Sequence, residues 1–471
     1  MLTSTNRSKL VMPPVAPIGA AGIPEPLARW RRRLIVLFIA LFALPLEPIF
    51  AGLTFTGLRL YVLLCFVPFL IAVFAGKAGR VTVTDVLMFG FGFWMVLTYV
   101  YHHGTERFPY AMITLMELVG GYLAGRLLVR NADDYRAFFQ AFFVMLLVLL
   151  PFAAFEMATG RTLLSEILSQ LGRVIPRSSE LRNNYFRAGV SYPHPILWGL
   201  VASLLLAQAW FLWGDRTVGR WLRIGVAVAC TVTAMSSAPI LGLAIQTGLI
   251  IWGRLTGNRW WLLTILFTII YLTLDLLSNR GPVIIMIETL TLNPTTAWWR
   301  VHIWNFGTQS VLAHPFLGIG LNDWARPEWL APTVDNFWLV LAMRHGLPAV
   351  LMLGLGLVWH VWRILQVHDL SDTDAQVRTA YMIGFVALCF GLSTVHVWGA
   401  PSVFVMFYFG IGSFLYTGGT QPTSVVQTSL APTDPRAPFP YTRFPQRASL
   451  AVCCRPLGHD GPRKQQDMTQ T

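Results

Sequence analysis

The sequence carries few charges for its length. Asp, Glu, Lys and Arg make up only 12% of its 471 residues, whereas 55% are hydrophobic. Soluble domains carry about 25% charged residues, so this composition argues against a soluble protein. Runs of about 17–25 apolar residues recur along the chain, and this length crosses a bilayer as a helix. We therefore predict an all-α polytopic membrane protein.

The sequence also lacks the usual signs of metal, disulfide or secretion chemistry. Its five cysteines show no zinc, iron–sulfur or disulfide spacing. Residues 1–28 are rich in Pro and Ala without a cleavable apolar core, and the first apolar run follows the basic cluster at 29–33. The net charge of +13 comes largely from Lys and Arg in short loops, where they indicate membrane topology. We expect no metal, no cofactor and no nucleic-acid partner.

The apolar runs predict about twelve spans. They lie roughly at 33–51, 57–75, 84–101, 109–128, 137–157, 195–213, 221–236, 238–255, 260–277, 334–362, 379–396 and 400–417. Alternate short loops are basic, so both termini are predicted to be cytoplasmic, and the loops at 158–194 and 278–333 periplasmic. The transmembrane domain would cover 29–417, between a disordered N-terminal segment (1–28) and a disordered tail (418–471).

Both long outer loops contain arginines, against the usual charge bias. Long loops tolerate charge, which is one explanation; the other is a binding site for an external anion. We favour the anion site because several of these arginines adjoin the ends of spans. They include Arg182, Arg187, Arg280, Arg300, Arg326 and Arg344.

The second long loop holds most of the candidate chemistry. His314 precedes a proline and ends a helix, and Gly318 and Gly320 permit a tight turn close to a ligand. Asp335, or Thr333 before it, is predicted to cap the tenth span, where the Asp335 carboxylate can also act as a general base.

Charged residues inside the predicted spans need partners. For Arg344 the structural alternative to a binding role is a salt bridge with Asp335 or Glu288. Glu117, in the middle of the fourth span, is equally consistent with structural pairing and with a functional role. At helical spacing, Trp299, His302 and Phe306 would share one face of the stretch around 298–304, with Arg300 turned elsewhere.

The second outer loop resembles the signature region of the O-antigen ligase and polymerase family, which includes exopolysaccharide polymerases. The matching features are Arg300 followed by aromatics, the HPFLGIG turn at 314–320, the Asp335-Asn336 pair and Gly346. Arg187 and the YPHP breaker at 192–195 resemble the family's entry into the sixth span. Ligases typically have His before the Asn, and the Asp at this position favours a polymerase.

The resemblance implies a metal-independent, inverting sugar transfer. The donor would be a polyprenyl-pyrophosphate-linked oligosaccharide, the acceptor a glycan or lipid, and the partner proteins a flippase and a chain-length regulator. Arginines bind phosphate oxygens in bidentate fashion. We assign Arg187, Arg280 and Arg300 to the pyrophosphate and Asp335 to the base, with His314 as the second candidate. The remaining substrate-binding residues are predicted to be Asn336, Arg344 and His345.

Three other functions remain open. A ligase would transfer the glycan to lipid A-core, and a flippase would move the same lipid-linked sugars across the inner membrane. Transporters usually show repeat symmetry and charges at mid-membrane, whereas this chain concentrates its charges in two outer loops. A polytopic scaffold without catalysis is the weakest of the three.

Overall fold

A computed structural model describes residues 25–47, 49–50, 53–174, 180–182, 184–277, 285 and 294–417. Arg280 and Glu288, most of the predicted N-terminal segment and the predicted tail lie outside the described residues. The described chain is almost entirely helical. Its helices are α1 (Glu25–Ala43), α2 (Gly57–Phe74), α3 (Val83–His103), α4 (Phe108–Leu128), α5 (Ala132–Thr159), α6 (Leu163–Leu168), α7 (Pro195–Ser203), α8 (Leu205–Leu212), α9 (Thr217–Thr233), α10 (Ser237–Thr256), α11 (Trp260–Leu277), α12 (Pro294–Ala313), α13 (Phe337–Leu365), α14 (Asp372–Leu392), α15 (Ala400–Ile411) and α16 (Phe414–Thr417).

Strands are confined to two very short hairpins within these ranges. β1 (Ile49–Phe50) pairs antiparallel with β2 (Leu53–Thr54). β3 (Leu181–Arg182) pairs antiparallel with β4 (Tyr185–Phe186) and lies in the first long loop.

Ten helical segments of the described chain are long and apolar enough to span a membrane. The protein is therefore an all-α, multi-pass membrane protein, as predicted. Each predicted span coincides with a helix, but α1 and α9 are not among these ten segments. The arginines of α1 raise its charge, and α9 has only 17 residues. The structure supports ten spans, and the count of twelve stays a prediction.

Close packing of α15 against α4 forms the centre of the bundle. A Cβ atom added to Gly121 would lie 2.6 Å from the carbonyl oxygen of Val403. Gly125 and Gly410 meet the opposite backbone in the same way. Small residues let transmembrane helices approach until their backbones are in contact. In lipid, where the hydrophobic effect does not drive helix association, this close packing stabilises the helix pair. This contact fixes α4, which later contributes to the candidate site.

Two buried acidic residues of these helices, Glu117 and Asp85, have arginine partners. Glu117 on α4 accepts a 2.7 Å hydrogen bond from Arg59 on α2, which favours the structural alternative for this residue. Asp85 on α3 pairs with Arg126 at 2.6 Å, and both side chains are fully buried. The Tyr122 hydroxyl donates a 2.7 Å hydrogen bond to the same carboxylate. Such pairing compensates for the cost of burying charge in an apolar bundle.

Candidate functional site

Helix α13 breaks at Gly346. This residue has φ 75° and ψ 178°, far outside helical geometry. The break leaves the carbonyl groups before it without their partners in the following turn. The structure supplies these partners from elsewhere, and the Trp94 indole donates a 2.9 Å hydrogen bond to the His345 carbonyl.

The HPFLGIG turn docks onto this break. The amide of Ile319 donates to the Met343 carbonyl at 2.8 Å, and that of Gly320 donates to the Arg344 carbonyl at 2.9 Å. In return, the Leu347 amide donates to the Pro315 carbonyl at 2.7 Å. The turn and the helix therefore hold each other in place.

The glycines of the turn serve this docking. Gly318 and Gly320 both have positive φ, of 62° and 64°. A Cβ atom on Gly318 would lie 2.5 Å from the backbone of Arg344. Gly318 therefore brings the backbone of the turn close to α13. The prediction that the turn approaches a ligand stays a prediction. Gly320 packs against His103 and also lines the cavity described below.

Helix α12 is fastened beside this turn by aromatic packing. The Trp329 ring contacts Trp299, His302 and Phe306, with ring centroids 5.1–6.4 Å apart. The predicted shared face of these three residues is confirmed. Arg300 lies off this face and borders a small pocket on the other side.

A cavity of about 800 Å³ opens where these segments meet. Its walls come from the starts of α4 and α7, the second long loop, the first turns of α13 and the α14–α15 link. All these segments lie at the end of the bundle for which alternation of spans predicts the periplasmic side. Its polar and aromatic side chains are Tyr110, His194, Asn322, Asp323, Trp324, Thr333, Asp335, Arg344, His396 and Trp398.

The carboxylate of Asp335 is exposed in this cavity. The predicted capping role of Asp335 or Thr333 is wrong, because Asn336 is the N-cap of α13 and its side chain accepts a 3.0 Å hydrogen bond from the Leu339 amide. Because Asn336 caps the helix, the Asp335 carboxylate takes no part in capping. Among the described residues it forms no salt bridge.

Arg344 projects from α13 into the same cavity. It interacts with the Tyr99 hydroxyl but, within the described ranges, pairs with no carboxylate. The predicted salt bridge to Asp335 is not formed, and Glu288 cannot be placed. Among the described residues, Arg344 is the arginine that lines the cavity.

Arg300 approaches Asp335 from the other side. Together with Asn336 they line a small pocket of about 40 Å³ next to the main cavity. Burial lowers the pKa of Arg300, and the negative charge of Asp335 opposes this shift. Asp335 therefore has Arg300 on one side and shares the cavity with Arg344 on the other.

Arg187 does not line the cavity. Its guanidinium pairs with Glu180 and donates hydrogen bonds to the Ser236 hydroxyl at 2.5 Å and the Ala234 carbonyl at 3.3 Å. Burial lowers its pKa, which Glu180 counteracts. These contacts do not favour the predicted role of Arg187 as a direct pyrophosphate ligand, and they attach the β3–β4 segment to the start of α10.

His194, in the YPHP breaker before α7, lines the cavity. Its Nδ1 accepts a 3.2 Å hydrogen bond from the Ile196 amide, so the neutral ring carries its proton on Nε2. The Nε2 atom lies 3.7 Å from Glu180, the partner of Arg187. Burial and the nearby Arg187 lower the pKa of His194. His194 is therefore a neutral hydrogen-bond donor at neutral pH.

His396 was missed by the sequence analysis. It stacks on Phe337 and Trp398, and its Nδ1 has no hydrogen-bond partner among the described residues. Burial, reinforced by Arg344, lowers the pKa of His396 to about 4. Its position in the short α14–α15 link carried no sequence signal, because the link became part of the site only through folding.

Two other predicted site residues, His314 and His345, do not line the cavity. His314 is exposed at the end of α12 and does not line the cavity. His345 is buried, with Nδ1 2.6 Å from the Thr98 hydroxyl. Within the described ranges there is also no group of three His, Cys, Asp or Glu side chains suited to a metal.

No protein-family model matches the sequence, and a search of curated proteins finds no match. What the site can do must therefore be argued from its own residues.

Proposed function

We propose that the protein is a membrane glycosyltransferase that polymerises polyprenyl-pyrophosphate-linked oligosaccharide repeats at the periplasmic face of a bacterial inner membrane. The observation that carries the proposal is the exposed Asp335 carboxylate, which shares a large cavity with Arg344. Neither side chain forms a salt bridge within the described chain. The resemblance in the second outer loop supports the same reaction.

The proposed reaction uses the two charges in separate roles. Asp335 accepts the proton of an acceptor hydroxyl, whose oxygen then forms a bond to the anomeric carbon of the donor sugar. The bond from that carbon to the pyrophosphate oxygen breaks, and its electron pair stays on the leaving pyrophosphate. Arg344, supported by Arg300 beside Asp335, stabilises this developing negative charge.

The cavity suits a sugar donor in size and lining. Its volume of about 800 Å³ lies within the range of about 300–1,000 Å³ that is usual for small-molecule sites. Trp324, Trp398 and Tyr110 present aromatic rings that can pack against the apolar faces of sugar rings. His194 and Asn322 offer hydrogen-bond donors for hydroxyl groups.

The remaining predicted residues act at a distance in this proposal. Asn336 fixes the start of α13, and His345 anchors its outer end to α3. Arg187 holds Glu180, which faces His194. His314 ends α12 without reaching the cavity, so Asp335 is the base.

The proposal is tested by glycan profiling of a deletion strain complemented with the wild-type chain or with Asp335→Asn. We expect the variant to insert normally but to leave single repeats in place of long chains. Glu166→Gln is the matched control, because Glu166 is an exposed acid that pairs with Arg161 on the surface of the first long loop.

Other outcomes would replace the proposal. Free lipid-linked polymer that is not attached to core would indicate a ligase. Accumulation of repeats on the inner leaflet would indicate a flippase. Full-length, attached polymer from Asp335→Asn would remove this residue from the mechanism.

A further inference from the structure

Arginines stack on tryptophans at the opposite end of the bundle from the cavity. Arg220 and Arg254 both lie over the Trp210 ring, at 4.7 and 4.5 Å from its centroid. Arg223 lies 4.3 Å from the centroid of Trp213. These residues belong to α8–α10 and the link after α8, and we call them the Arg–Trp cluster.

The cluster has more positive charge than its surroundings neutralise. Residues 210–225 and 250–260 contain five arginines and a single acid, Asp215. Within the described chain none of these arginines forms a salt bridge. Cation–π contact orients a guanidinium group without using its N–H groups. Arg223 donates to the Gly219 carbonyl at 2.9 Å and to the Gln140 side chain at 2.6 Å, and Arg220 donates to the Gly214 carbonyl at 3.4 Å. The remaining N–H groups of Arg220 and those of Arg254 are available to a ligand. The Nε atoms of Arg220 and Arg223 are buried and have no hydrogen-bond partner in the described residues.

Exposed apolar side chains border the cluster. Val218 and Leu255 are 84% and 80% exposed, and Trp221 and Leu222 are more than half exposed. A site for a soluble anion would not need such a border. A membrane lipid offers a phosphate for the arginines and acyl chains for these side chains.

We propose that the Arg–Trp cluster binds the phosphate headgroup of an anionic phospholipid. Two guanidinium groups sharing the Trp210 ring can reach one headgroup together, and guanidinium matches phosphate oxygens in bidentate fashion. The topology predicted from basic loops places the cluster on the cytoplasmic side, where anionic headgroups meet basic pockets between helices. The inference does not depend on the proposed transferase activity.

The test is thermal unfolding of the purified full chain with added phosphatidylglycerol or phosphatidylcholine. A ligand that binds only the folded state raises Tm. We expect phosphatidylglycerol to raise Tm by about 3 °C more than phosphatidylcholine does. The Arg220→Gln/Arg254→Gln double variant should lose this difference.

The matched control is Arg363→Gln. Arg363 also lies beside a tryptophan, with its guanidinium 5.9 Å from the Trp362 ring, and the same predicted topology puts it on the cytoplasmic side. This variant should keep the full phosphatidylglycerol effect. If the double variant does not fold, the single variant Arg254→Gln replaces it, since Arg254 is exposed. This variant should lose at least half of the extra rise in Tm that phosphatidylglycerol causes.

Two results would overturn the proposal. An equal rise in Tm for wild type and the Arg220→Gln/Arg254→Gln variant would show that the lipid binds elsewhere. The same rise with inorganic phosphate alone would show that the cluster binds a soluble anion and not a lipid.

Discussion

The buried Asp85 and Arg126 differ from Asp335 and Arg344, which lie at the opposite end of the bundle. At one end Asp85 and Arg126 form a 2.6 Å pair with no exposed surface, completed by Tyr122. At the other end Asp335 and Arg344 face a cavity and have no ion-pair partner in the described chain. Asp85 and Arg126 neutralise each other and cannot bind a ligand. Asp335 and Arg344 are not paired, so they can interact with a ligand or with water.

The difference follows from what surrounds each pair. Gly121 and Gly125 let α15 close over α4 near Arg126, so water is excluded there. Around Arg344, the turn at 314–320 binds the backbone of α13 and leaves the side chain outward. We therefore expect substitutions at the first pair to affect stability and substitutions at the second to affect activity.

Arg344→Gln should cause the largest change in activity. Removing a charge that stabilises the leaving group costs about 10²–10³-fold in rate. We expect such a loss in transfer by the purified protein supplied with extracted lipid-linked repeats. The decrease in Tm should be smaller than that of Arg126→Gln, because Arg344 forms no salt bridge within the described chain. Arg161→Gln, on the exposed surface of the first long loop, should leave the rate unchanged.

Arg126→Gln should reverse this pattern. It leaves the buried Asp85 carboxylate unpaired, which costs about 3–5 kcal/mol. Thermal unfolding in detergent should show a marked decrease in Tm, while any protein that remains folded keeps its transfer rate. A stable variant with lost activity would show that the buried pair is part of the site.

Gly346→Ala should lower both Tm and the transfer rate, Tm by less than Arg126→Gln does and the rate by less than Arg344→Gln does. An alanine at φ 75° is strained by about 1–3 kcal/mol, and its Cβ would meet the Phe316 carbonyl. We expect a lower Tm and reduced transfer, because Arg344 shifts when the turn separates from α13. Gly354→Ala on the same helix has no atom within 4 Å of its Cβ and should be neutral. Equal effects of the two variants would refute the docking role of the turn.

His396→Gln should change how stability depends on pH. The pKa of His396 is lowered from 6.5 to about 4, so between these values the unfolded chain binds a proton that the folded chain does not. The free energy of unfolding therefore decreases as the pH falls from 6.5 towards 4. The loss is on the order of 2 kcal/mol. Tm of the variant should fall less than that of wild type between pH 6.5 and 4.5, and parallel curves would contradict this.

The sequence was sufficient to predict the helices and their apolar character. Helical periodicity also predicted the packing face of Trp299, His302 and Phe306, and the interruption near Asp335 located one wall of the cavity. These features depend on residues close together in the chain, where spacing determines geometry.

What could not be predicted depends on contacts between distant segments. The partner of Glu117 lies 58 residues away on α2, and that of Arg126 lies on α3. His396 reaches the cavity from a link far along the chain from Asp335. Local sequence also failed at the helix cap, where Asp335 or Thr333 was predicted and the backbone geometry selected Asn336.

The central claim is that the cavity opens to the periplasm. In a variant without native cysteines, Asn322→Cys places a thiol in the exposed lining of the cavity, and Ser371→Cys places one in the α13–α14 link at the opposite end. A membrane-impermeant maleimide added to spheroplasts should label the first at once and the second only after permeabilisation. Labelling of Ser371→Cys alone would place the cavity in the cytoplasm and contradict the proposed reaction.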